Sequence, residues 1–178
     1  MTSKNDSNRR MVLAALFLAT AQVLPFVTGY IPYVGRALCP MHLPVLLCGF
    51  FCGPFYALAI GIVAPLLRFF LFGMPPLMPS GLAMSFELAT YGFASGMLYK
   101  LLPKKKGYIY LALIGAMVIG RIVWGIVSAV LYGITNAEFG WETFVTGSIV
   151  GSLPGIIIQI VIIPILVMTL EKYTYKGK

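Results

Sequence analysis

Charge is what this sequence has least of. Only 10% of its 178 residues are Asp, Glu, Lys or Arg, against roughly 25% in an ordinary soluble domain. So little polar sequence cannot coat a folded domain of this size, which disfavours a water-soluble globule, a disordered chain and a nucleic-acid arm. Acidic side chains are scarcer still, five against thirteen basic ones, for a net charge of +8. One histidine and three cysteines leave little for metal or redox chemistry. Cys48 and Cys52 lie one helical turn apart, with Cys39 and His42 just before them. A metal would need four ligands, or three and a water, so packing of small polarizable residues is the plainer reading, and no cofactor is implied.

What is present is apolar. Hydrophobic residues make up 60% of the chain before its 19 glycines are added, and mean hydropathy is +0.93. Uncharged stretches cover 11–35, 37–67, 69–86, 122–137 and 143–170. In hydrocarbon every backbone polar group must be satisfied internally, which leaves helices or closed barrels, and these continuous runs lack the short alternating strands of a barrel. The expected fold is therefore an all-α integral membrane protein with six transmembrane helices, at 11–29, 41–55, 57–73, 80–101, 108–133 and 144–171. Gly53-Pro54 separates the second span from the third, and Gly73-Met74-Pro75-Pro76 ends the third, because proline cannot continue a helix.

Alternation from a cytoplasmic N-terminus puts Lys4, Arg9, Arg10, Lys100, Lys104, Lys105, Lys106, Lys172, Lys176 and Lys178 inside, ten of the thirteen basic residues and every lysine. That is the positive-inside pattern, with both termini cytoplasmic, and it accounts for the basic balance without an acidic partner. The domain organisation is a cytoplasmic tail at 1–10, one membrane domain at 11–172 and a second tail at 173–178. Arg9-Arg10, an apolar core and Ala19-Thr20-Ala21 also have the outline of a signal peptide. The apolar run, however, continues through Val23, Leu24 and Phe26, and its removal would leave five spans with mismatched loop charges.

Polar residues at membrane depth need a partner or a cavity. Arg36, Arg68, Glu87 and Arg121 are the four charges to explain. Ser80, Met84, Glu87, Tyr91 and Ser95 share one face of the fourth helix. Arg121, Trp124, Ser128 and Tyr132 do so on the fifth, and Ser148, Ser152 and Gln159, with Gly155, on the sixth. The three stripes either pack as an internal network, with a Glu87–Arg121 ion pair, or line an outward-facing ligand cavity that takes in Arg68, Tyr91, Trp124 and Gln159. Glu87 can neutralise one arginine; Arg121 is nearer its level, which leaves Arg68 for a ligand. In the first helix Ala15 and Ala19 form a small-x-x-x-small pair that permits a close helix contact, within the chain or with another.

These features resemble the substrate-binding S component of energy-coupling factor (ECF) vitamin transporters. The resemblance rests on the six spans, the basic start leading into Ala15-x-x-x-Ala19, the three stripes, and the run from Pro40-Met41-His42-Leu43-Pro44 through Ala64-Pro65-Leu66-Leu67-Arg68 and Phe72-Gly73-Met74-Pro75-Pro76 to Phe86-Glu87-Leu88-Ala89-Thr90-Tyr91-Gly92. It implies a vitamin or vitamin precursor bound near the outer surface of a bacterial cell membrane, and a transmembrane coupling subunit packed on Ala15 and Ala19. Two separate ATPase subunits would supply energy, and no G-x-x-x-x-G-K-[ST] loop occurs in this chain. The binding regions of the family fall here on Arg36, His42, Arg68, Glu87, Tyr91, Arg121, Trp124, Ser152 and Gln159. Three arginines against Glu87 favour a small anionic solute, with pantothenate the first guess, since arginine suits two-pronged carboxylate binding. The rival functions are an autonomous homo-oligomeric channel or facilitator, which internal repetition would favour, and an intramembrane enzyme. No repeat, paired carboxylate or H-E-x-x-H is present.

Overall fold

The computed structural model describes residues 4–29, 38–103, 105–134, 140 and 150–174. Among the described residues six α-helices occur in order: α1 (Lys4–Gly29), α2 (His42–Cys52), α3 (Pro54–Phe72), α4 (Leu82–Leu101), α5 (Lys106–Ile134) and α6 (Leu153–Thr174). An irregular turn, Leu77–Gly81, leads into α4, and a short 3-10 turn, Val150–Ser152, leads into α6. No strand occurs among the described residues.

The sequence breakpoints act as expected. Gly53, at φ 99°, joins α2 directly to α3, with Pro54 in the first helical position where a missing N–H costs nothing. Gly73, at φ 69°, caps α3 in the left-handed region and donates its N–H to the Phe69 carbonyl at 2.7 Å. Two boundaries differ from the expectation. Charged residues at the start of α1 are excluded from lipid but not from a helix, so α1 begins at Lys4 and not at residue 11. At the other end α6 begins at Leu153, after the 3-10 turn, and not at 144; residues 141–149 lie outside the described residues.

Among the described residues four helices are long and apolar enough to cross a membrane: α1 over Asp6–Thr28, α3, α5, and α6 over Leu153–Leu170. The other two are central. At 11 residues α2 reaches about 16 Å, roughly half the hydrocarbon thickness. Nine of those residues are buried, as expected of a helix that is apolar all round. With 20 residues α4 has the length to cross but less hydropathy, because it carries Ser85, Glu87, Tyr91 and Ser95. It packs against α2, α3 and α5, so protein and not lipid surrounds its polar face. Close backbone contact makes this possible: a Cβ at Gly61 of α3 would sit 2.4 Å from the Ala89 nitrogen of α4.

Leu46 and Cys48 of α2, Ala57 and Ala64 of α3, Leu88 of α4, Leu113 and Ala116 of α5, and Ile163 of α6 form the core. Val12, Leu16 and Val23 of α1, Phe55 and Phe70 of α3, Ile122 and Ile126 of α5, and Ile157 and Val161 of α6 are exposed, giving an apolar exterior suited to lipid. On α1 the inward positions are Ala14 and Ala21, while Ala15 and Ala19 face outward. The contact within the chain thus uses a different alanine pair from the one the sequence spacing suggests. The helix also runs unbroken through the cleavage-like Ala19-Thr20-Ala21, and the next side chain, Gln22, donates to the Ala64 carbonyl of α3 at 2.9 Å.

A buried polar cluster as candidate binding site

Glu87 and Tyr91 are four residues apart, so both project from one face of α4. Opposite them, Arg121 of α5 brings its Nη1 to 2.9 Å from Glu87 Oε1. The Arg121 Nη2 donates to Ser152 Oγ at 2.8 Å, which ties the turn before α6 into the same group. From α2 comes His42, with Nε2 3.6 Å from Glu87 Oε1. A turn places it: Cys39, at φ 46°, accepts the His42 N–H on its carbonyl at 3.0 Å, so the histidine enters as the first residue of α2. The His42 and Tyr91 rings meet edge to face at 5.3 Å. Tyr91 lies against α5 where that helix lacks a side chain; a Cβ at Gly120 would fall 2.0 Å from Tyr91 Cδ1.

Glu87 and His42 are each 3% exposed, and Tyr91 1%. Buried polar atoms are nearly always hydrogen-bonded. Here Glu87 Oε1, both ring nitrogens of His42, the Tyr91 hydroxyl and Arg121 Nε have no hydrogen-bond partner among the described residues. The Glu87–Arg121 contact is close enough for an ion pair but is not aligned as a hydrogen bond. The group is therefore held together by charge and packing while several donors and acceptors stay unspent.

Of the residues expected at a site, the structure gathers His42, Glu87, Tyr91, Arg121 and Ser152. Half-buried Trp124 lies one turn along α5 from Arg121, and Gln159 is buried on α6. Arg36 lies outside the described residues, as do Ser148, Tyr30 and Trp141. Arg68 is elsewhere. Its Nη1 donates to the Gln22 carbonyl of α1 at 3.2 Å, and its guanidinium lies 5.1 Å from the Phe26 ring and 5.5 Å from the Phe72 ring. Those two rings meet edge to face at 4.7 Å, so Arg68 belongs to a seam between α1 and the end of α3. The α4 stripe is also shorter than its periodicity suggested. Ser80 is exposed in the irregular turn, and Ser95 donates to the Gly92 carbonyl at 3.1 Å, deep in the helix packing.

Two polar residues, Cys39 at the cluster and Gln22 at the α1–α3 seam, escape sequence reasoning. Cys39 places its thiol beside Arg121 and Glu87, where burial pushes its pKa up to about 11. Nothing in a loop cysteine signals that. Gln22, one of two glutamines in the chain, did carry a signal, a polar side chain inside an apolar run, which attention to charges alone passes over. No group of three His, Cys, Asp or Glu among the described residues is placed to hold a metal.

Neither the curated proteins nor the solved structures supply a match to this chain. Residues 9–167, most of its length, match the family model described as the ECF transporter, substrate-specific component. A helical, multi-pass membrane bundle with a polar cluster at its centre fits that match, and the chain belongs to the family of substrate-specific components of ECF transporters.

Proposed function

We propose that this chain captures a vitamin or vitamin precursor on the outer side of a bacterial cell membrane for ATP-driven uptake. A transmembrane coupling subunit and two ATPase subunits would complete the transporter. The observation that carries the reading is the Glu87–Arg121–His42–Tyr91 cluster, with polar groups from three helices unspent inside a lipid-facing bundle of this family. Both termini are assigned to the cytoplasm, because an even number of crossings then leaves every lysine inside. Residues 11–172 form the single membrane domain, with 1–10 and 173–178 as cytoplasmic ends. Ala15 and Ala19 are assigned to the coupling subunit; they face outward on α1, and small residues let a second helix approach closely.

The anionic ligand inferred from the arginine excess, with pantothenate first, loses two of its three cations. Glu87 meets the charge of Arg121, and Arg68 is seated on α1. Purification from native membranes followed by extraction and mass spectrometry of the bound small molecule tests the proposal. A vitamin-like solute in stoichiometric amount, together with co-purifying coupling and ATPase subunits, is the expected result. A chain that copurifies with neither would contradict the proposal and favour the autonomous channel.

A further inference from the structure

We infer that the buried cluster recognises an electrically neutral head group carrying a hydrogen-bond donor beside an acceptor, the edge of an amide or lactam, and not a carboxylate. The inference rests on the solute-binding reading above and narrows it.

Charge closure is the first reason. Glu87 and Arg121 lie 2.9 Å apart and cancel. An anion brought here would add an uncompensated charge to a place where Glu87, His42 and Tyr91 are almost fully removed from solvent, which is strongly unfavourable. The second reason is the inventory of unspent atoms. Glu87 Oε1 is an acceptor, Tyr91 OH and Arg121 Nε–H are donors, and the two ring nitrogens of His42 add to them. A carboxylate only accepts, so it would leave Glu87 Oε1 unmet and face it with like charge; an ammonium only donates and would leave Arg121 Nε unmet. An amide or lactam edge presents N–H and C=O side by side and answers both. Third, the His42 and Tyr91 rings stand 5.3 Å apart, so aromatic surface adjoins the polar edge, as a planar heterocycle requires.

Calorimetric titration of the full chain in lipid nanodiscs tests this with matched compounds: nicotinamide against nicotinate, pantothenol against pantothenate, and the uncharged lactams pterin and lumichrome. At least one uncharged compound should bind, and the uncharged member of a bound pair should exceed its carboxylate by about tenfold or more. Glu87→Gln leaves Arg121 uncompensated and should reverse the preference toward the carboxylate, an inversion that general loss of structure would not produce. Should that variant fail to fold, Tyr91→Phe removes one donor without changing charge and should weaken the uncharged compounds several-fold. Tighter binding of a carboxylate by the native chain overturns the inference while leaving the solute-binding reading intact. Binding of no uncharged compound also overturns it. Failure of the broader reading would show differently, as a chain that copurifies with neither solute nor coupling subunits.

Discussion

At the scale of single residues, the buried cluster depends on groups that are useful together and costly apart. Arg121→Gln strands Glu87 inside the bundle, and removing one partner of a buried pair costs about 3–5 kcal/mol. A thermal melt should therefore show a large destabilisation for Arg121→Gln and a smaller one when Glu87→Gln is added, because the second change removes the stranded charge. Equal melting temperatures for native and Arg121→Gln protein would mean the pair contributes nothing to the fold. Arg68 follows different arithmetic. It lies over Phe26 and Phe72 at a partly exposed seam, where a cation–π contact contributes roughly 0.5–1 kcal/mol. Arg68→Gln and Phe26→Leu should each lower stability modestly, and the double variant should lose less than the sum. Strict additivity would separate them. Gly120→Ala should displace the Tyr91 ring, whose Cδ1 lies 2.0 Å from the added carbon, and so weaken ligand binding in titration more than it lowers the melt. Unchanged affinity in that variant would remove Tyr91 from the site.

At the scale of the helix, what was legible in the sequence and what was not have different physical origins. Periodicity placed Glu87 and Tyr91 on one face of α4, and Gly53 and Gly73 marked joints, because those are local properties of backbone and spacing. The Glu87–Arg121 pairing was foreseeable from depth alone. The approach of His42 to Glu87 was not, since it depends on the turn at Cys39 and on α2 lying against α4. Spacing also could not tell which alanines of α1 face inward; small-x-x-x-small suits a contact with any helix, and the inward pair is Ala14 and Ala21. This distinction gives a controlled test. Ala15→Trp and Ala19→Trp should block assembly with the coupling subunit while the isolated chain still binds its solute. Ala21→Trp, at a position 0% exposed, should disturb the bundle itself. Solute binding lost in Ala15→Trp to the same degree as in Ala21→Trp would make both faces internal packing.

At the scale of the whole molecule, the fold divides its helices by solvent. Among the described residues four helices are long and apolar enough to cross a membrane, the polar face of α4 lies against α2, α3 and α5, and α2 is almost wholly buried. Enclosure is what allows Glu87 and Arg121 inside an apolar bundle, so on the proposed reading stability and recognition draw on the same ion pair. On the proposed reading the chain holds a solute, and the energy for uptake comes through partners docked on its surface. The central claim is met most directly by transport in proteoliposomes, using the solute extracted from the purified chain in radiolabelled form. With the chain alone and ATP supplied, no accumulation above equilibrium is expected; with the coupling and ATPase subunits added, uptake against the gradient should appear. Concentrative uptake by this chain alone, or its absence from a fully assembled complex, would contradict the account.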